Sequence, residues 1–342
     1  MQSVVNTDTR AIRRWLYACA TMVFLIVVVG GITRLTRSGL SIVEWKPISG
    51  TLPPLNDTEW NIEFSKYQET PEYKIINHKM TLSEFKDIFW WEFIHRTIAR
   101  LIGVVFFFPF VYFLLRRRLS AKLAIKLLLI FSIGALQGFM GWYMVKSGLV
   151  KDPHVSHLRL MLHLMLAVLL YMLLLTTSWR LKWRRDPNQK ASAEHATMMA
   201  AFFILATGAL VAGLKAGKMY NTWPLMNGAY YPPGIEYMTP WYLNLYEHPA
   251  LVQFIHRNAA YAFGAWLLVF CYRRRREIFA APLRHPLTWL VVVYALQVLL
   301  GVLTLLQVVP VGLAAKHQMN ALILFTVALY MFIRRQSVAD KV

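Results

Sequence analysis

Apolar residues recur along this chain in eight long blocks, at roughly 15–33, 89–115, 122–146, 158–178, 197–214, 249–272, 286–307 and 314–333. A helix of about 20 residues, rising 1.5 Å per residue, crosses the roughly 30 Å of hydrocarbon in a bilayer. The pattern therefore predicts an all-α polytopic membrane protein with eight transmembrane helices. The polar breaks between blocks alternate in character. Arg10, Arg13 and Arg14, Arg116 to Arg118, the run 180–185, Arg273 to Arg276, and Arg334 with Arg335 all fall on one side of such a topology. Basic residues collect on the inner side of a membrane, so both termini are expected in the cytoplasm or mitochondrial matrix.

Composition agrees: 57% of residues are hydrophobic and only 16% charged. The net charge of +20 by itself suggests a nucleic-acid partner, but these charges flank apolar spans and form no continuous basic face, which argues against one. Membrane lipid is the expected surroundings. The first block follows three arginines, as in a secretory signal, yet it is long and ends in Gly30-Gly31-Ile32-Thr33-Arg34 without a clear cleavage site, so a retained helix is expected. A long Arg- and Ser-rich leader is missing, which favours a bacterial inner membrane over the mitochondrial inner membrane of a eukaryote. Cys19 and Cys271 show no metal-ligand spacing and no disulfide framework.

The chain repeats itself. Phe93-Ile94-His95-Arg96 returns as Phe254-Ile255-His256-Arg257, with Gly103 and Gly264 seven residues beyond each Arg. Ala135-Leu136-Gln137 with Gly141 matches Ala295-Leu296-Gln297 with Gly301, and His163 with Ala167 matches His317 with Ala321. The copies are about 1–180 and 191–342, joined by the basic segment 182–190. Four blocks per copy predict two pseudo-symmetric four-helix bundles related by an axis along the membrane normal. The first outer loop, about 34–88, carries Trp45-Lys46-Pro47-Ile48-Ser49-Gly50. Its counterpart, about 215–248, carries Trp223-Pro224-Leu225-Met226-Asn227-Gly228. Both read as ordered turns at the interface, where Trp rings sit well.

His95, His163, His256 and His317 each fall one to two turns inside a block entered from the outer side. A six-coordinate haem iron needs two axial nitrogens on opposite faces of a flat ring, and facing helices at equal depth supply them. A lone histidine at a helix mouth is usually a hydrogen-bonded rim residue. Four at equivalent places of a duplicated chain point instead to two haem sites, one between His95 and His163 and one between His256 and His317. Zinc or copper fits less well, since no Cys or carboxylate pair lies near. His154 and His157 compete with His163 but have no counterpart in the second copy, and His78, His195, His248 and His285 read as loop or rim residues. Arg96 and Arg257 are candidates for haem propionates, with snorkelling to headgroups as the alternative.

The copies differ at one ionisable position: Glu92 stands three residues before His95, and Gln253 three before His256. Spacing of i, i+3 puts the acid on the face of its histidine, so the first copy has a proton acceptor that the second lacks. Simple pairing of Glu92 with Arg96 or His95 is the plainer alternative.

Glu92-x-x-His95, His163-Leu164, Phe254-Ile255-His256-Arg257 and His317-Gln318, with Gly30 to Thr36, Ser38-Gly39-Leu40-Ser41 and Trp45-Lys46-Pro47, resemble the haem A synthase family over nearly the whole chain. The resemblance implies oxidation of the C8 methyl of haem O to a formyl group, giving haem A for terminal oxidase biogenesis. It implies haem b on His256 and His317 as cofactor, substrate haem between His95 and His163, and catalysis involving Glu92 and His95. It also implies haem O synthase as a partner, and leaves open the electron acceptor and self-association into a homo-oligomer. Some members carry a cysteine pair in the first outer loop. Residues 34–88 contain none, which places the chain with the cysteine-free branch of mitochondria and many Gram-negative bacteria and argues against a thiol mechanism. A di-haem cytochrome b that only passes electrons explains the four histidines but not Glu92 opposite Gln253. A haem transporter or chaperone, with one transient site, is the third reading.

Overall fold

A computed structural model describes residues 4–46, 49–149 and 153–338. Their helices, in chain order, are α1 (Val4–Leu35), α2 (Asp57–Gln68), α3 (Pro71–Ile75), α4 (Leu82–Leu115), α5 (Ala121–Gly148), α6 (His157–Arg180), α7 (Ser192–Gly213), α8 (Pro249–Ala280), α9 (Pro286–Leu306) and α10 (Val311–Arg335). No strand occurs among the described residues, only isolated bridges. A long helix covers each of the eight apolar blocks. Six of them, α1, α4, α5, α6, α7 and α9, are long and apolar enough to cross a membrane. The other two are diluted by polar side chains: Gln253, His256, Arg257, Asn258 and the run Arg273 to Arg276 on α8, and Lys316, His317, Gln318 and Asn320 on α10. Phe108, Leu115, Ile125, Leu129 and Leu268 are all more than half exposed, while Glu92, Gln253 and Asn320 are buried. Apolar residues outside and polar ones inside is the arrangement that suits lipid as solvent.

The chain divides into two compact units, Met1–Ser178 and Trp179–Val342. In the first, Trp15 of α1 stacks near Phe106 and Phe113 of α4 and donates its indole N–H to Val105 O at 2.8 Å. Phe106 also meets Phe131 of α5, and Phe24 of α1 meets Tyr171 of α6. The first outer loop holds two helices that hydrophobic patterning does not reveal, because α2 and α3 are short and rich in charge. Trp60 and Tyr67 of α2 close over Phe85 and Phe89 of α4. A capping box between Thr81 and Glu84 starts α4 at Leu82, ahead of the apolar block, because Lys86 and Asp87 interrupt the hydrophobic run but not the helix. Pro47 and Ile48 of the first loop's repeated motif lie outside the described residues.

In the second unit α7 packs on α8 and α10, and α9 on α8 and α10. Trp266 donates to Thr197 Oγ1 at 2.8 Å and Tyr294 to Ala260 O at 2.8 Å, tying α8 to α7 and α9. The turn at Trp223 to Gly228 is ordered: Met226 N donates to Ala229 O at 2.7 Å, Asn227 N to Thr222 Oγ1 at 2.8 Å, and Asn227 and Gly228 take left-handed φ. Segment 182–190, expected as a joint between copies, belongs to this unit. Asp186 N donates to Gln336 O and Val338 N to Arg184 O, so its backbone pairs with the chain end that follows α10.

Candidate functional site

Each of the four histidines rests on a glycine of a neighbouring helix. A Cβ on Gly30 of α1 would stand 3.0 Å from His95 Nε2, and one on Gly141 of α5 would stand 3.1 Å from His163 Cε1. In the second unit a Cβ on Gly208 of α7 would stand 3.1 Å from His256 Cε1, and one on Gly301 of α9 2.9 Å from His317 Cε1. Any larger residue at these places would push the ring aside. Within each unit the two imidazoles lie within electrostatic range of one another, His95 with His163 and His256 with His317. Gly141 and Gly301 belong to the repeat visible in the sequence. Gly30 and Gly208 seat the other two rings, a link the sequence does not make explicit; the signal that carries it is their shared place in the first helix of each copy.

Buried polar atoms without partners mark the same places. His163 Nδ1, Gln137 Oε1 and Gln253 Oε1 have no hydrogen-bond partner among the described residues. No group of three or more His, Cys, Asp or Glu side chains able to hold a bare metal ion occurs among them either. Two imidazoles within each unit, in apolar surroundings relieved by glycine, fit a haem that would be held by one nitrogen from each.

The surroundings of the histidines are not equal. His256 Nδ1 lies 2.8 Å from Thr207 Oγ1, whose own hydrogen goes to Ile204 O at 2.9 Å. The hydroxyl therefore accepts from Nδ1–H, which leaves His256 Nε2 with the lone pair that a metal needs. Gln297 Nε2 lies 3.2 and 3.3 Å from the two ring nitrogens of His317, and Asn320 Nδ2 donates to Gln297 Oε1 at 2.8 Å. In the first unit Gln137 Nε2 donates to His163 O at 3.0 Å and sits 3.5 Å from His163 Nε2. The residue before Gly30 is Val29, where the residue before Gly208 is Thr207. The residue three beyond His163 is Leu166, where the residue three beyond His317 is Asn320.

Glu92 is buried and fully engaged. Its Oε1 receives Arg96 Nε at 3.1 Å and Nη2 at 2.7 Å; its Oε2 receives Ser41 Oγ at 2.7 Å and Ile42 N at 2.8 Å. Arg96 goes on to Ile42 O at 2.8 Å and Glu44 O at 3.0 Å. The plainer pairing with Arg96 is thus present, and its effect is to fasten the first outer loop to α4. The second unit repeats the device without charge on the partner: Gln253 Nε2 donates to Tyr220 O at 3.2 Å, and Arg257 to Tyr220 O at 2.7 Å and Thr222 O at 2.9 Å. Both arginines, expected as propionate partners, direct donors to loop carbonyls; Arg257 Nε is left buried without a partner. His248 and His285 cap α8 and α9, and His195 stacks on Phe332, as rim residues do.

Residues 13–329 match the model of the cytochrome oxidase assembly protein family COX15-CtaA. The chain is 46% identical to a heme A synthase of Nitrosospira multiformis, over 92% of this chain and 91% of that one. It is 43% identical to a heme A synthase of Parvibaculum lavamentivorans over 96% of both chains, and 42% identical to one of Wolbachia pipientis over 96% and 95%.

Proposed function

The chain belongs to the haem A synthase family of cytochrome oxidase assembly proteins, and from that premise we propose how its two units divide the work. It is an oxidoreductase of haem biosynthesis that converts haem O to haem A. The first unit receives haem O between His95 and His163 and oxidises its C8 methyl to a formyl group. The second unit keeps a haem b between His256 and His317. All eight long helices cross the inner membrane of a bacterium, as two pseudo-symmetric four-helix bundles with both termini in the cytoplasm, and haem O synthase supplies the substrate.

The observation that carries this reading is the pair of glycine-seated histidines inside each unit, with an ionisable carboxylate beside only one of them. The resident haem supplies a redox group for the electrons that leave the methyl carbon. The chain's own residues bind, orient and manage protons. His95 and His163 hold the substrate ring, and the apolar helices exclude water around it. Glu92 lies one turn from His95 on the same face of α4 and fastens the loop 41–44 to that helix. We assign to its carboxylate, the one acid on that face, the uptake of a proton as the methyl is oxidised, which requires one of its four donors to let go. Arg96, next in sequence to His95, holds Glu92, and we assign its guanidinium a second duty towards a propionate of the substrate.

Pigment extraction tests the reading. The protein is co-expressed with a source of haem O, and the extracted haems are separated. Haem A in the extract, together with haem b that copurifies and disappears in His256→Ala, is the expected result. Two permanently bound haems b with no modified haem would establish the electron-transfer cytochrome instead.

A further inference from the structure

Resting on the assignment of a resident haem to the second unit and a substrate haem to the first, we infer that Thr207 is a positioning residue that makes the second site retentive, and that Val29 in the equivalent place makes the first site exchangeable. The argument starts from hydrogen-bond capacity. A histidine that ligates iron through Nε2 holds best when its Nδ1–H has a fixed acceptor, because the acceptor sets the tautomer, the ring plane and the basicity of the ligating nitrogen. Thr207 Oγ1 is such an acceptor for His256 at 2.8 Å, with its own hydrogen committed to Ile204 O. Val29, just before the glycine under His95, has no side-chain atom that can do this.

The other ligand of each site has no such acceptor in either unit. Gln297 and Gln137 turn amide nitrogens, which donate, towards His317 and His163, and His163 Nδ1 has no partner. The difference between the units in this respect therefore lies at His256 and His95. An enzyme that takes in a haem, alters it and gives it up needs one site that lets go; a redox group that serves every turnover needs one that does not.

The test exchanges these two side chains between units in the full-length protein. Thr207→Val gives the second unit the side chain of the first. The rate at which bound haem b passes to excess apomyoglobin is followed by its absorbance, with the low-spin electron paramagnetic resonance signal as a second readout. Loss is expected to accelerate about tenfold to a hundredfold, the usual effect of removing an outer partner of a metal-bound histidine. The resonance signal should shift, and Thr207→Ser should restore both. In the reverse exchange, Val29→Thr, purified protein should retain more haem on His95 and His163 and release it more slowly. Wild-type loss rates and an unchanged signal in Thr207→Val would overturn the inference. If His256→Ala and His317→Ala leave the bound haem b in place, the assignment of that haem has failed, and this inference falls with it.

Discussion

Ser41 and Glu92, 51 residues apart in the chain, meet in a fully buried hydrogen bond of 2.7 Å. The loop residue supplies the hydroxyl and α4 the carboxylate, one turn from His95. With Ile42 N and the guanidinium of Arg96, the carboxylate has four donors, so the one acid beside that histidine is also the fastening of the first outer loop. A catalytic carboxylate and a loop anchor respond differently to mutation.

Glu92→Gln keeps the shape but leaves the Arg96 cation without its anion. Breaking one side of a buried pair costs about 3–5 kcal/mol, enough to loosen the loop as well as remove the proton acceptor. Ser41→Ala removes one hydrogen bond, about 1–3 kcal/mol, and leaves the charge in place. Haem A output should vanish in Glu92→Gln with haem b intact, and fall only partly in Ser41→Ala. Hydrogen exchange over 37–46 should rise in both. Equal loss of haem A in the two variants would make Glu92 an anchor alone; full conversion in Glu92→Gln would remove it from catalysis.

The glycines under the histidines offer a graded series. A methyl added to Gly301 meets His317 Cε1 at 2.9 Å, and one added to Gly30 meets His95 Nε2 at 3.0 Å. Each must shift an imidazole, a strain of about 1–3 kcal/mol in a packed core. Gly301→Ala should lower haem b content, whereas Gly30→Ala should keep haem b and lose haem A. Gly103 is the internal control, because a Cβ there meets nothing within 4 Å. Gly103→Ala should be neutral or raise the melting temperature slightly. Its repeat partner Gly264 packs against Tyr294, with Cζ 3.0 Å from the added carbon, so Gly264→Ala should destabilise the second unit. A series in which all four variants behave alike would show that the glycines do not seat the rings.

Much of this is legible in the sequence. Apolar blocks located the eight long helices, and the repeat placed His95, His163, His256 and His317 at matching points, because duplication preserves both the helix period and its polar exceptions. What escaped was local. α2 and α3 are short and charged, and form because Trp60 and Tyr67 find Phe85 and Phe89 far along the chain. The contact of Thr207 with His256 escapes because a threonine in an apolar helix has no pattern of its own; only the partner it meets gives it a role. The arginines beside the histidines were legible as cations near a haem but not as staples, since the carbonyls they hold belong to loops of irregular backbone.

The first loop also carries a pH-dependent contact. Lys46 and Lys66, at 2.6 and 2.7 Å, hold the Glu44 carboxyl below its ordinary range. A carboxyl lowered on folding stabilises the folded loop above its unfolded value and loses that contribution as pH falls through the folded one. Both ends are substantially exposed, so the effect is below about 1 kcal/mol and fades in high salt. Because Arg96 holds Glu44 O, the loosening reaches the Glu92 staple. Glu44→Gln should raise hydrogen exchange of 41–46 at neutral pH and low salt, and match the wild type once the medium is acid enough to protonate Glu44. A difference that persists in acid would assign the effect to something other than this carboxylate.

The sharpest separation of the two units comes from the ligands themselves. Histidine to alanine at 256 or 317 removes one imidazole from the second pair and leaves the Gly30–His95 and Gly141–His163 seats untouched. On the proposed division of work such variants should lose copurifying haem b, and with it the production of haem A. Alanine at 95 or 163 should do the converse: haem b stays, its low-spin spectrum is unchanged, and haem A is not made. A double variant, His95→Ala with His163→Ala, should still hold haem b in the ratio of one per chain. Each pair lies inside one compact unit with its own buried core, so disturbing one pair should leave the other unit folded. Loss of haem b from His95→Ala or His163→Ala, in protein that still melts at the wild-type temperature, would mean that the four histidines do not divide into these two pairs.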